Sequence, residues 1–168
     1  MNEQLSKLSN DDLWKIYGMT IKNLKERELI RTRNITSERG EYIVINHYNK
    51  TPNMPKLQRA PTGTKNIDAI SRNGDRYAIK TITHPHKITG VFYGLQPPKS
   101  KEENERKFEY LVVVTVDEEF QPVEILEAPW KVFLKYKRWH SRMRAWNMSV
   151  SKRFKSECRI VYRRGAKK

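Results

Sequence analysis

The fold is decided by the stretch Asn66-Ile-Asp-Ala-Ile-Ser-Arg-Asn-Gly-Asp-Arg-Tyr-Ala-Ile-Lys-Thr81. Two short apolar runs flank a turn that contains glycine, a pattern that predicts a β-hairpin. Asp68 falls on its first strand and Lys80 on its second. A carboxylate and an ammonium brought together in this way can hold a divalent metal and a water beside a phosphodiester. Ala78 stands two residues before Lys80, where a second carboxylate would complete such a site.

The geometry of the turn decides whether Asp68 and Lys80 can act together. A strict two-residue turn pairs Asp68 with Ile79 and places Lys80 on the opposite face of the sheet. A three-residue loop with a bulge, in which Gly74 is left-handed, places Asp68, Ala78 and Lys80 on one face. We predict the bulged form.

Composition predicts one folded domain over residues 1–168 that binds a polyanion. A chain of this length can bury a core, and four Trp, eight Tyr and five Phe supply large apolar side chains. The formal net charge is +15, and residues 131–168 carry fourteen Lys and Arg against one acidic residue. Such a block attracts nucleic acid by neutralising phosphates and releasing counterions. The chain shows no membrane-spanning run and no signal peptide at its polar beginning, so we expect a cytoplasmic protein.

Helices and further strands are predicted on both sides of the hairpin. An amphipathic helix is expected from Asn10, and a second helix, capped by Ser37, carries Glu38 and Glu41 near its start. Residues 49–65 lack periodicity and are expected to form a loop. The apolar run from Tyr110 to Val116 predicts the central strand of the sheet, and residues 123–126 predict its antiparallel neighbour.

The basic C-terminal region is predicted to begin with a helix at Pro129. Apolar and aromatic residues recur at helical spacing in Val132, Tyr136, Trp139, Met143 and Trp146. Four cations form a second stripe. Because unpaired charges cannot be buried, we expect this stripe to lie at the surface. The residues predicted to contact nucleic acid in this helix and the following tail are Lys131, Lys135, Arg138, Arg142, Arg144, Lys152 and Arg153.

These motifs resemble the PD-(D/E)XK superfamily, the restriction-endonuclease-like nucleases. The resemblance covers roughly residues 10–150. Its residues are Gly40-Glu41-Tyr42, Ile67-Asp68-Ala69, Ala78-Ile79-Lys80 and the strand from Tyr110 to Val116. The segments that resemble small bacterial members of this group are Arg31-Thr-Arg-Asn, Glu38-Arg-Gly-Glu-Tyr and Arg76-Tyr-Ala-Ile-Lys. The fold implied is α/β or α+β, with a mixed sheet of four to five strands flanked by helices.

The resemblance implies a metal-dependent site for cutting DNA. Asp68 would be the principal metal ligand, Ile79 would lend its backbone carbonyl, and Glu41 would add an acid from the helix. Lys80 would orient the attacking water and stabilise charge on the phosphorus. The implied cofactor is Mg²⁺ or Mn²⁺. We also expect a homodimer, because cutting both strands of DNA calls for two sites related by symmetry. A role in bacterial defence is implied by the resemblance alone.

Ala78 leaves three explanations open, because a methyl group cannot bind a metal. The chain is a relative that has lost cleavage, or Glu41 or Glu38 replaces the missing ligand, or the residue was substituted to trap a complex. Three functions accordingly remain: a metal-dependent endodeoxyribonuclease with an incomplete motif, a non-catalytic DNA-binding module of the same fold, and a basic RNA-binding protein.

Overall fold

A computed structural model of the chain describes residues 1–166, so that the last two lysines of the predicted basic tail lie outside it. The helices are α1 (Asn2–Leu5), α2 (Asn10–Glu26), α3 (Ile35–Lys50), α4 (Trp130–Tyr136) and α5 (Lys152–Ser156). The strands are β1 (Leu57–Arg59), β2 (Ala69–Ser71), β3 (Arg76–Thr83), β4 (Tyr110–Val116), β5 (Pro122–Pro129), β6 (Lys137–His140), β7 (Ala145–Met148) and β8 (Arg159–Arg163).

Six of the strands form one mixed sheet in the order β1-β2-β3-β4-β5-β8. Only β3 and β4 are parallel, and every other neighbouring pair is antiparallel. The predicted mixed α+β architecture is confirmed, but the sheet has six strands rather than four or five. The additional strand at one edge is β1, which lies within the predicted 49–65 loop and pairs with β2.

The central strand β4 divides the core into two layers, as its continuous apolar run predicts. Leu111 and Val113 pack on one side with the helices α4 and α5, whereas Val112 and Val114 pack on the other side against α3. This alternation follows from the period of two along a strand. The two faces of the sheet are therefore covered by different parts of the chain.

The hairpin between β2 and β3 adopts the predicted bulged form. Its register pairs Ala69 with Tyr77 and Ile70 with Arg76. Gly74 has a φ of 88°, and its amide donates to the Ser71 carbonyl at 3.0 Å. A residue with a side chain rarely adopts this left-handed conformation, which explains why glycine stands there. The register places Asp68 opposite Ala78.

Helix α3 forms as predicted, but its N-cap lies three residues earlier than Ser37. The side chain of Asn34, not that of Ser37, caps it by accepting a hydrogen bond from the Ser37 amide. The helix lies very close to β3 at Gly40, where an added Cβ would stand 1.8 Å from the Thr81 hydroxyl. Gly40 is therefore required by close packing rather than by backbone conformation.

The prediction of a long C-terminal helix from Pro129 is wrong, and so is the prediction that its cations form a helical stripe. Helix α4 ends at Tyr136, and the chain continues as the antiparallel pair β6–β7. Trp139 and Trp146 face each other across this pair, with ring centroids 5.2 Å apart. The backbone of Trp146 also exchanges two hydrogen bonds with that of Phe92. Tertiary pairing with a distant segment thus overrides the helical spacing.

The amphipathic helix predicted from Asn10 is present as α2, although its cap is Ser9. None of its residues is buried, and Trp14 is 73% exposed. Within residues 1–166, no helix has both the length and the apolar character needed to cross a bilayer.

Candidate functional site

A cleft of about 530 Å³ opens on the face of the sheet that carries Asp68, Ala78 and Lys80. The bulged register brings these three residues to the same face, as predicted. The remaining residues that line the cleft are Lys65, Asn66, Val91, Phe92, Tyr93 and Gly94. The hairpin therefore supplies one wall and the segment around Phe92 supplies the other.

Asp68 lies just before β2 and is held by the neighbouring strand. Its Oδ2 accepts a hydrogen bond from the Ile79 amide at 2.7 Å. Burial raises the pKa of Asp68 above its ordinary value, although the Ile79 amide and the Lys80 charge act in the opposite direction. The amide and carbonyl of one strand residue point to the same side, so the Ile79 carbonyl is directed to the side on which Asp68 lies.

Lys80 enters the cleft without an anionic partner in direct contact. Its Nζ lies 4.7 Å from the centroid of the Phe92 ring, and it forms no ion pair with any described residue. Burial lowers the pKa of Lys80, and the charges of Asp68 and Glu41 offset that effect only in part. We call Asp68 and Lys80 the cleft pair. An ammonium in this position can neutralise an anionic ligand that enters the cleft.

Glu41 approaches Asp68 from α3, but the Glu41 carboxylate is already paired with two arginines. Its Oε2 accepts from Arg31 at 3.3 Å and from Arg59 at 3.0 Å. Glu41 and Asp68 line a second cavity of about 230 Å³. Burial raises the pKa of Glu41, and the charge of Asp68 raises it further. The predicted acid from the helix is therefore near the cleft pair, and it is already neutralised.

Glu38, the other helix acid, is only 3% exposed and belongs to the same set of contacts. It accepts from the Thr32 amide at 2.7 Å and from the Arg59 guanidinium. Burial acts to raise the pKa of Glu38, but hydrogen bonds from Thr32 and the proximity of Arg59 outweigh it, so the pKa is lowered. We call Arg31, Glu38, Glu41 and Arg59 the arginine–glutamate network.

The donors at the cleft do not fit a resident Mg²⁺ ion. No three His, Cys, Asp or Glu side chains in residues 1–166 come together as a metal-binding group. Asp68 is the one carboxylate on the cleft wall, and the position opposite it is the methyl group of Ala78, which is 1% exposed. Mg²⁺ usually needs one or two carboxylates with substrate oxygens and waters. One carboxylate that is also held by an amide is a weak basis for such a site.

The predicted nucleic-acid residues are spread over three elements instead of one helix. Lys131 and Lys135 lie on α4, and the Lys135 ammonium pairs with Glu157. Arg138 lies on β6, Arg142 and Arg144 lie in the turn that follows it, and Lys152 and Arg153 begin α5. Of these seven residues, Lys135 alone makes an ion pair among residues 1–166.

Sequence reasoning did not find Phe92 and Arg59. Phe92 forms part of the cleft wall and contacts Lys80, whereas Arg59 neutralises both helix acids. Arg59 lies in the short strand β1, within a segment that has no periodic signal. Neither residue belongs to a motif, and only the folded chain brings them to the site.

Comparison with known proteins assigns the chain to no family. No family model matches it, and no curated protein is significantly similar to it. The function must therefore be inferred from the arrangement of its own residues.

Proposed function

We propose that this protein binds DNA through a restriction-endonuclease-like scaffold whose centre for phosphodiester hydrolysis lacks one metal ligand at Ala78. One observation carries the proposal. The bulged hairpin places Asp68, Ala78 and Lys80 together on the wall of an open cleft. A strict two-residue turn would have separated these residues, so this arrangement depends on a specific register.

Charge supports a polyanionic ligand. Lys80 is enclosed on the cleft wall with a lowered pKa and no ion pair in the described part of the chain, so a phosphate would be a favourable partner. The protein as a whole carries a net charge of +15. Phosphate binding would be strongly dependent on salt, because each neutralised phosphate releases counterions.

The missing carboxylate at position 78 accounts for the poor fit to Mg²⁺. In an Ala78→Glu variant, the introduced carboxylate, Asp68 and the Ile79 carbonyl would be the ligands of Mg²⁺ or Mn²⁺. A bound metal would act as a Lewis acid and would lower the pKa of a bound water. Lys80 would stabilise the developing negative charge on the phosphorane. Glu41 is not proposed as a replacement ligand, because Arg31 and Arg59 already occupy it.

The test compares plasmid binding and cleavage by three proteins: the unsubstituted protein, Ala78→Glu and Ala78→Met. Methionine has a similar length but no hard oxygen ligand, so it controls for added volume. We expect all three to bind plasmid DNA. Only Ala78→Glu should nick it with Mg²⁺ or Mn²⁺, and a chelator or a further Asp68→Asn substitution should abolish nicking.

The alternatives give different results in the same experiment. DNA binding without any gain of cleavage by Ala78→Glu would favour a non-catalytic DNA-binding module. Preference for RNA with no response to metal would favour an RNA-binding protein. Absence of binding to either nucleic acid would reject the proposal. Light scattering of the purified chain would determine whether it forms the homodimer needed for paired cuts.

A further inference from the structure

The strands β6 and β7 form an antiparallel ribbon that adjoins the cleft. We call residues 137–148 the basic ribbon. One side of it is fixed, because the amide and carbonyl of Trp146 bond with those of Phe92 at 3.2 and 2.6 Å. Phe92 also lines the cleft and contacts Lys80. The basic ribbon is thus attached directly to the wall that faces the proposed phosphate site, and β6 is its outer strand.

The outer strand and the tip of the ribbon carry cations that have no partner within residues 1–166. Arg138, Arg142 and Arg144 are exposed, and their guanidinium groups make neither an ion pair nor a hydrogen bond there. No acidic residue occurs between Trp130 and Ser156. The tip extends only four residues, Ser141 to Arg144, beyond the last paired residues. These charges are therefore concentrated at the exposed tip and on the outer strand.

The ring of Trp146 in the ribbon is engaged by other parts of the protein. The Trp146 ring lies edge-to-face with Trp139, and the Lys137 Nζ stands 3.1 Å from its centroid. Its indole N–H donates to the Gln96 carbonyl at 2.8 Å. Unpaired bases are usually bound on open aromatic faces, and these contacts leave no such face on Trp146. The Trp146 ring is therefore poorly suited to stack on an unpaired base.

The width of the major groove determines whether a β-ribbon can enter a DNA duplex or an RNA duplex. The major groove of B-form DNA is about 12 Å wide and admits a two-stranded β-ribbon. The major groove of an A-form RNA duplex is deep and too narrow for side chains to enter. The inner strand of the basic ribbon is bonded to the protein, but its tip and outer strand are open. A major groove of B-form width lets the arginines there reach phosphates and base edges.

We propose that the basic ribbon enters the major groove of double-stranded DNA beside the phosphodiester that occupies the cleft. This inference rests on the proposed DNA-binding function and names its ligand as a B-form duplex. Arg142 and Arg144 provide the main contacts at the tip. The cleft and the ribbon then contact one duplex at neighbouring positions.

The test measures affinity by fluorescence anisotropy over a range of salt concentrations. The probes are a 20-base-pair DNA duplex, one of its strands alone and an RNA duplex of the same sequence. The variant is Arg142→Gln/Arg144→Gln, which removes two charges and keeps long polar side chains. We expect it to bind the DNA duplex about tenfold more weakly and to reduce the slope of log affinity against log salt by about two.

A matched control removes two exposed charges elsewhere. Lys15→Gln/Lys25→Gln on α2 should leave the affinity within about twofold, which separates a local contact from the general effect of net charge. A duplex whose cytosines carry glucosylated hydroxymethyl groups should bind weakly, because those groups fill the major groove. Netropsin, which occupies the minor groove, should not compete.

Three outcomes would overturn the inference. The first is an equal loss of affinity for the DNA duplex in the two double variants. The second is binding of the single strand or of the RNA duplex as tight as that of the DNA duplex. The third is that netropsin competes with the protein for the duplex whereas groups in the major groove have no effect. If the DNA duplex binds but the ribbon variant behaves like the unchanged protein, only the ribbon inference fails. If none of the probes binds, the proposed function fails and the ribbon inference fails with it.

Discussion

Two groups of charged residues meet at Asp68, and they differ in how their charges are satisfied. In the arginine–glutamate network, Glu38 is almost wholly buried, yet its pKa is lowered because Thr32 and Arg59 donate to it. In the cleft pair, burial dominates, so that the pKa of Asp68 is raised and that of Lys80 is lowered. A carboxylate is thus held charged at Glu38 and pushed towards neutrality at Asp68.

The difference separates residues that maintain the fold from residues that are available to a ligand. A buried charge with hydrogen-bonding partners fixes the elements that carry them, here α3 and β1. A charge that is desolvated without a partner gains most when a counter-ion enters. The network therefore connects the framework, whereas the cleft pair is arranged to receive an external anion or cation.

The largest expected effect is the loss of the central cation of the network. Arg59→Met removes the partner of Glu38 and Glu41, and it leaves Glu38 buried without its guanidinium. Breaking a buried pair by removing one partner costs about 3 kcal/mol or more. We expect urea denaturation to show a loss of that size. Arg33→Met, at an exposed residue without a side-chain partner in residues 1–166, should cost less than about 0.5 kcal/mol. Equal effects of the two substitutions would contradict the role given to the network.

The second largest effect concerns the cleft pair and should appear in activity. In an Ala78→Glu background, Lys80→Met is expected to reduce the rate of plasmid nicking about 100-fold, since it removes one electrostatic contact to the transition state. The same substitution should leave stability in urea unchanged or slightly higher, because it removes a desolvated ammonium with no ion pair in the described chain.

Lys65→Met serves as the matched control for Lys80. Lys65 also lines the cleft, but it is exposed. We expect it to lower nicking by only a few fold. A loss of stability on Lys80→Met of the size expected for Arg59→Met would show that Lys80 belongs to the framework instead, and the comparison between the two groups would fail.

The cleft pair could be predicted from sequence because its geometry is local. A single turn sets the register of the hairpin, and the conformational freedom of Gly74 favours the bulged loop. The apolar run of β4 similarly predicted a strand covered on both faces. In each case, a few consecutive residues contain the physical cause of the structure.

The network and the basic ribbon could not be predicted because their causes are distant in sequence. The sequence around Glu41 predicts an acid near the site, but nothing in it indicates that Arg59, 18 residues away, bonds to this carboxylate. Trp139 and Trp146 are spaced so that they fit one helical stripe. They form a β-ribbon because Phe92 offers backbone partners to Trp146. Local periodicity contains no information about such a partner.

A smaller effect is expected at Thr81, which packs against α3. Its buried polar group lacks the hydrogen-bonding partners that the buried groups of the network have. Its hydroxyl is buried and has no hydrogen-bond partner in the described structure. Unlike the cleft pair, it packs against Gly40 and has no room for a ligand. Thr81→Val should raise stability in urea by about 1 kcal/mol, because it removes an unsatisfied polar group and nearly preserves shape. Thr83→Val, at a partly exposed position of the same strand, is the control and should change stability by less than about 0.5 kcal/mol.

The smallest effect is a difference in pH dependence between the two groups. The raised pKa of Asp68 means that the folded protein binds this proton more tightly than the unfolded chain does. Its contribution to stability is therefore present below the ordinary pKa of 3.8 and is lost as the pH rises through the folded value. Glu38, whose pKa is lowered, contributes stability above its ordinary pKa of 4.5 and loses it as the pH falls through the folded value. Urea denaturation between about pH 3 and pH 7 should show that Asp68→Asn gains stability relative to the unchanged protein as the pH rises, whereas Glu38→Gln loses it. Changes of the same sign in both variants would mean that Asp68 and Glu38 are satisfied alike, which would remove the physical basis for assigning these two carboxylates different roles.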